Sequence, residues 1–277
     1  MADPSLSDTL KDYISKNGRD TIPLDKSPTL VIVGEIHAFL TGDPASIRAA
    51  PSVRVLKELL KDLRFRYFGN ESFSNAGPIR RSVRQYWETG TLPPKFDPKE
   101  RPMPDRTEIG RRVLTRRFQP VLDDLRASPR YILSIGSTVG GPMRDARLAQ
   151  HMVEEMADRK LAPTVPGVIV VGADHAGAVP IDKAQTTTTR MVLERHGFSC
   201  ISVLILTDFS HPGDDPDDAV TSAKDVSAPS IRLTSVMSKN PVSFRTDGAG
   251  FKDVRWAGSD SGHTLAEEYE IIVLQKA

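Results

Sequence analysis

TLVIVGEIH, residues 29–37, opens with four uninterrupted apolar residues, Leu30 to Val33, and closes on a glycine followed by two ionisable side chains. A run without polar alternation reads as a strand covered on both faces, as in parallel sheets. A helical stretch follows around 46–64, with Val53, Leu56, Leu59, Leu60 and Leu63 on one side, so the unit is β-loop-α. The rhythm repeats outward from it. FRYFG (65–69), YILSIG (131–136), VPGVIVVG (165–172) and CISVLILT (200–207) read as strands. Helical segments at 78–89, 106–127 and 144–160, and TTTTRMVLERHGF, stand between them. Strands alternating with amphipathic helices predict an α/β fold, a mainly parallel sheet flanked by helices. From residue 208 the texture changes to the turn-rich HPGDDPDDAV and short runs around 230–236, 251–256 and 269–275. These predict antiparallel edge strands or a small C-terminal antiparallel β appendage. The chain therefore divides into an α/β domain over 1–207 and, over 208–277, strands completing it or appended to it.

Composition narrows the partners. Lys plus Arg number 37 against 36 Asp plus Glu, an even balance that does not suggest nucleic acid or an acidic membrane as the dominant partner; a small-molecule substrate is expected from the site residues instead. The first twenty residues lack the apolar core of a secretory signal, and no run approaches the roughly 20 apolar residues of a membrane helix. Cys200 is the single cysteine. An intrachain disulfide is excluded, and the expected location is the reducing cytoplasm. With no basic neighbour in sequence, the thiol reads as structural.

The polar residues at the strand ends carry the chemistry. Glu35 and His37 are two apart, so on extended backbone they project the same way. Glu71 ends the second strand, and GADH at 172–175 ends another with Asp174 and His175. Parallel strands finish along one edge, where ligands bind in open α/β sheets. Each residue alone could be an ordinary surface group; three such placements at one edge define a site. Arg144 and Asp145 open the helix RDARLAQHM, where Asp145 can meet free backbone N–H groups and Arg144 can reach across the mouth. LPPKFDPKERPMPDR at 92–106 holds five prolines and reads as a loop of the kind that often covers a site.

Four strings then occur in an order that resembles the erythromycin-esterase-like and TIKI/TraB/ChaN superfamily. VIVGEIHAF resembles its GE-x-H signature, FGNES its glutamate-bearing second strand, RDARLAQHM its arginine helix start, and VIVVGADHAG its G-x-x-H strand end. IRRSVRQYWETG resembles the Y-x-x-x-G region of the esterase branch, which marks Tyr86 as substrate-binding together with Asp145 and Asp174. The likeness spans about residues 29–207. Ile36 and Ala38 depart from the esterase pattern of a small residue before the histidine and a glycine after it. The resemblance implies a hydrolase of a small ester, lactone or amide, with His37, Glu71, His175, Glu35 and Arg144 as catalytic residues.

Two versions of the chemistry fit these residues. Without a metal, His37, oriented by Glu35 or Glu71, takes a proton from the attacking water while His175 or Arg144 stabilises the oxyanion. With a metal, His37, His175, Glu35 and Glu71 supply N and O ligands suited to zinc or manganese. The ChaN resemblance implies a further alternative, a haem or other small-ligand binding protein; a non-hydrolytic biosynthetic enzyme on the same fold is another. Other polar features read as structural. TTTT at 186–189 is a helix-start polar face, His196 with Gly197 a helix end, His263 part of a turn, and His211 with aspartates 214, 215, 217 and 218 a solvated linker. VGG at 139–141 reads as a flexible site loop.

Overall fold

In the computed structural model of the chain, the residues described are 5–24, 28–35, 51–75, 77–91, 123, 126, 131–137, 143–181, 183, 185–207, 218–225, 229–237, 239–257 and 261–276. The expected site residue His37, the proline-rich stretch 92–106, the VGG stretch at 139–141 and His211 fall outside them. Strands β1 (Leu30–Glu35), β2 (Tyr67–Ser74), β3 (Tyr131–Gly136), β4 (Gly167–Gly172) and β5 (Cys200–Thr207) join two C-terminal strands, β8 (Val242–Arg245) and β10 (Ile271–Gln275), in one sheet. Its order is β3-β2-β4-β1-β5-β10-β8. Every pairing is parallel except β10 with β8. Strands β6 (Ala219–Ser222), β7 (Ile231–Arg232) and β9 (Val254–Trp256) form a separate antiparallel sheet. The fold is thus α/β with a mainly parallel sheet and a small antiparallel companion.

The uninterrupted apolar strands build two cores, one on each face. In β1, Leu30 and Ile32 enter one core and Val31 and Val33 the other, all at 0% exposure. Burying such a side chain contributes roughly 1.5–3 kcal/mol, enough to offset the roughly 1–2 kcal/mol of backbone ordering per residue. Helices α2 (Pro51–Leu60) and α3 (Gly77–Thr89) cover the Val31 face with Val55, Leu56, Leu59, Leu60, Val83, Tyr86 and Trp87. Helix α1 (Leu6–Asn17), helix α4 (Arg144–Asp158), the short α5 (Ala173–Ala176) and α6 (Thr189–Arg195) cover the other face. Helix α7 (Leu265–Glu268) joins them there through Leu265. Arg80 and Arg84 of α3 pair with Glu155 and Asp158 of α4. Because the two helices lie on opposite faces, these pairs pass around the outer edge of β3 and shield it.

The helix after β1 is shorter than the apolar spacing predicts: Leu63 is 79% exposed. Asp62 accepts the Arg64 backbone N–H at 3.0 Å, a local turn that competes with the helix and ends it. In the C-terminal region, β10 is neither an appendage nor an antiparallel edge. It lies parallel to β5 inside the main sheet, and its IIVL run is buried on both faces. Asp218, read from sequence as part of a solvated linker, is fully buried. It accepts from Arg232 and from the Thr234 backbone at the 3-10 turn Leu233–Val236. No helix among the described residues is long and apolar enough to cross a membrane.

Candidate functional site

Three neighbouring strands, β2, β4 and β1, end side by side. Glu35 stands opposite Gly172 of β4, and Asn70 opposite Val170, so Glu71 reaches nearly the same height as Glu35. Past Asn70 the β2–β3 register slips: β2 runs from Asn70 to Ser74 while β3 runs only from Ser134 to Gly136. The sequence suggested that β2 stops near Glu71; the strand in fact continues through a bulge, the device by which sheets re-aim a side chain near a site. A Cβ at position 136 would collide with the Glu71 carbonyl oxygen. Glycine there is what lets the bulge close.

Beyond β4, α5 carries Asp174 and His175. It rests on β1 at Gly34, where a Cβ would stand 2.9 Å from that of Ala176. His175 Nδ1 lies 3.0 Å from Asp145 Oδ1. Asp145 also accepts from the Thr189 hydroxyl at 2.7 Å and from Gln185 Nε2 at 3.1 Å. Burial pushes the Asp145 carboxyl up, but these donors outweigh it and hold the group below its ordinary value. An ionised carboxylate only accepts, so the imidazole proton facing it sits on Nδ1 and the neutral ring keeps a lone pair on Nε2. Burial depresses the His175 pKa; the Asp145 bond and the Asp145 and Glu71 charges overcome this, and it ends above the usual histidine value. Arg144 opposes them, with Nη2 3.5 Å from Glu71 Oε1.

The structure therefore brings together His175, Asp145, Glu71 and Arg144. Glu35 is buried at the adjacent strand tip; by strand alternation it points to the same face as Val31 and Val33. Asp174 is exposed, and its carbonyl accepts from Gln185. Tyr86 is fully buried in the α3 core, with its hydroxyl donating to Asp123 at 2.8 Å. Asp145 was expected to meet free backbone N–H groups, yet no side chain caps α4; its carboxylate turns to His175 instead. Helix α4 also sets His151 Nδ1 3.2 Å from the Ile135 carbonyl. Thr189 and Gln185 were missed. TTTT does begin a helix, with Thr188 accepting the Met191 N–H, but the next threonine faces the site. The Cys200 thiol is pushed up to about 12 by burial and stays protonated.

For a metal, the described residues offer His175 Nε2 and the Glu71 carboxylate, with Asp145 behind the imidazole in the manner of carboxylate–histidine–metal arrangements. Among the described residues, no group of three or more His, Cys, Asp or Glu is gathered to hold an ion.

No protein-family model matches the chain, and no curated protein is significantly similar to it. A crystal structure of a Bacillus cereus protein aligns over 99% of this chain and 98% of that one, at 11% identity and a TM-score of 0.48. A structure described as bacterial protein toxins aligns over 73% of this chain and 40% of that one, at 14% identity and a TM-score of 0.39. The chain thus spans less than half of the second. Neither likeness bears on function.

Proposed function

We propose that the chain is a hydrolase of a small ester, lactone or amide. The observation that carries this reading is the His175 imidazole fixed by the Asp145 carboxylate at the carboxyl edge of a parallel sheet, beside the Glu71–Arg144 pair. A histidine whose Nδ1–H is held by a carboxylate has Nε2 ready to take a proton from water. His175 is accordingly assigned the base role that sequence gave to His37, and Arg144 the stabilisation of charge on the carbonyl oxygen as water adds. Glu71 holds Arg144 in place. The same orientation of an imidazole also serves metal ligation, and a zinc or manganese ion would recruit His175 with Glu71. A half-buried, protonated cysteine suits a cytoplasmic setting.

The test is turnover of a panel of small chromogenic esters and lactones by the untagged full chain. Glu71→Gln is expected to lower turnover by about 10-fold or more by freeing Arg144 from its carboxylate, and His37→Ala reports whether the neighbouring strand tip takes part. Activity that survives chelation supports water activation by His175 alone; activity lost on chelation and restored by zinc or manganese supports the metal version. Absence of turnover across the panel, or variants as active as the parent, rejects the hydrolase reading.

A further inference from the structure

Helix α7 lies far along the chain from the site, yet it grips the turn that carries His175 from both sides. The Tyr269 hydroxyl donates to the Ala173 carbonyl at 2.8 Å, and the Ala178 N–H donates to the Glu268 carbonyl at 2.7 Å. Between these bonds, the Glu268 side chain is fully buried, and neither carboxyl oxygen has a well-formed hydrogen bond to a described residue, although the Ser261 hydroxyl lies near. A neutral acid tolerates such a place far better than a carboxylate does.

We infer that α7 is a proton-operated clamp: with Glu268 protonated it holds residues 173–178 in place, and loss of that proton releases them. Burial, then the neighbouring Glu267 charge, pushes the Glu268 carboxyl up to about 8; nearby Ser261 opposes the shift and Asp174 adds to it. The charged groups that act on it are Glu267 on its own segment and Asp174 on α5, and Tyr269 follows it in the chain. His263, 3.9 Å from Glu267, belongs to the loop before α7, and Arg255 to β9. Tyr269, wholly buried, is raised well above the usual phenol range and stays neutral. The folded chain keeps a proton that an unfolded chain releases, so Glu268 costs stability progressively as pH rises from about 4.5 to about 8.

The clamp stands independently of the hydrolase reading; only its effect on turnover rests on it. The experiment follows exchange of the Ala178 amide hydrogen in the full chain, corrected for the intrinsic rate. Protection is expected to fall about tenfold per pH unit between about 4.5 and about 8 and to level off above that, and to stay level throughout in Glu268→Gln, which mimics the neutral acid. Asp174→Asn, which leaves Glu268 in place, is expected to end the fall at a lower pH. Identical profiles for the parent and Glu268→Gln overturn the clamp, as does an unshifted profile in Asp174→Asn should the glutamine variant not fold. A transition in exchange without any turnover keeps the clamp and rejects the hydrolase.

Discussion

Replacing His175 with alanine is expected to cut turnover about 10²- to 10⁴-fold, the usual contribution of a positioned acid–base group, with the chain still folded. Asp145 keeps Thr189 and Gln185 as donors when the imidazole is gone. The companion variant Asp145→Asn separates orientation from mere presence. In the parent, Asp145 and Glu71 raise the His175 pKa, so activity that needs the neutral ring should appear only above the ordinary histidine range. Asparagine removes the charge that favours the protonated ring, and the rising limb moves to lower pH. It also removes the acceptor that fixes the tautomer, so the plateau falls. A pH–rate profile in which Asp145→Asn lowers the plateau without moving the limb contradicts the charge coupling. An unchanged plateau contradicts the orienting role. The sign for stability is separate: raised above its unfolded value, His175 contributes stability that is full below that value and is lost as pH rises through its folded pKa. Asp145, depressed, contributes above the unfolded carboxylate value and loses it as pH falls through its folded pKa.

Gly136→Ala is expected to cost about 1–3 kcal/mol, as overpacking does, and to lower turnover about 10²-fold through misplacement of the bulge. The added methyl has backbone in its way, the Glu71 and Phe73 carbonyls, and backbone gives less readily than a side-chain tip. Moving the bulge moves Glu71 and with it Arg144. Gly197→Ala is the control: its φ of +88° strains any L residue, while nothing lies within 4 Å of the added Cβ. It should lower the melting temperature and leave turnover alone. Equal effects of the two variants on turnover would remove the bulge from the site.

The fold was legible because its decisive signal is local. LVIV, VIVV and VLIL each announce a strand covered on both faces, and the helices between them announce parallel crossovers. IIVL at 271–274 carries the same signal, yet its neighbours are short alternating runs and it was grouped with them; nothing in a sequence says which sheet a strand joins. The site was legible only as far as strand ends are. Glu71 and His175 follow directly from apolar runs, and their neighbourhood follows from a parallel edge. The partner of His175 did not, because Asp145 sits in a helix first turn, where a capping role is the ordinary expectation. Thr189 and Gln185 reach the site across gaps of 44 and 40 residues, and such contacts leave no periodic trace. The β2 bulge hid in NES, whose polarity looks like the end of a strand.

The insertion of β10 between β5 and β8 has a consequence for biosynthesis. Until residues 271–275 have been made, β5 presents an open row of unpaired amides and carbonyls along an apolar strand, a ready template for another chain. The sheet cannot close before this segment emerges, so polypeptides that lack it are the species that chaperones would have to guard.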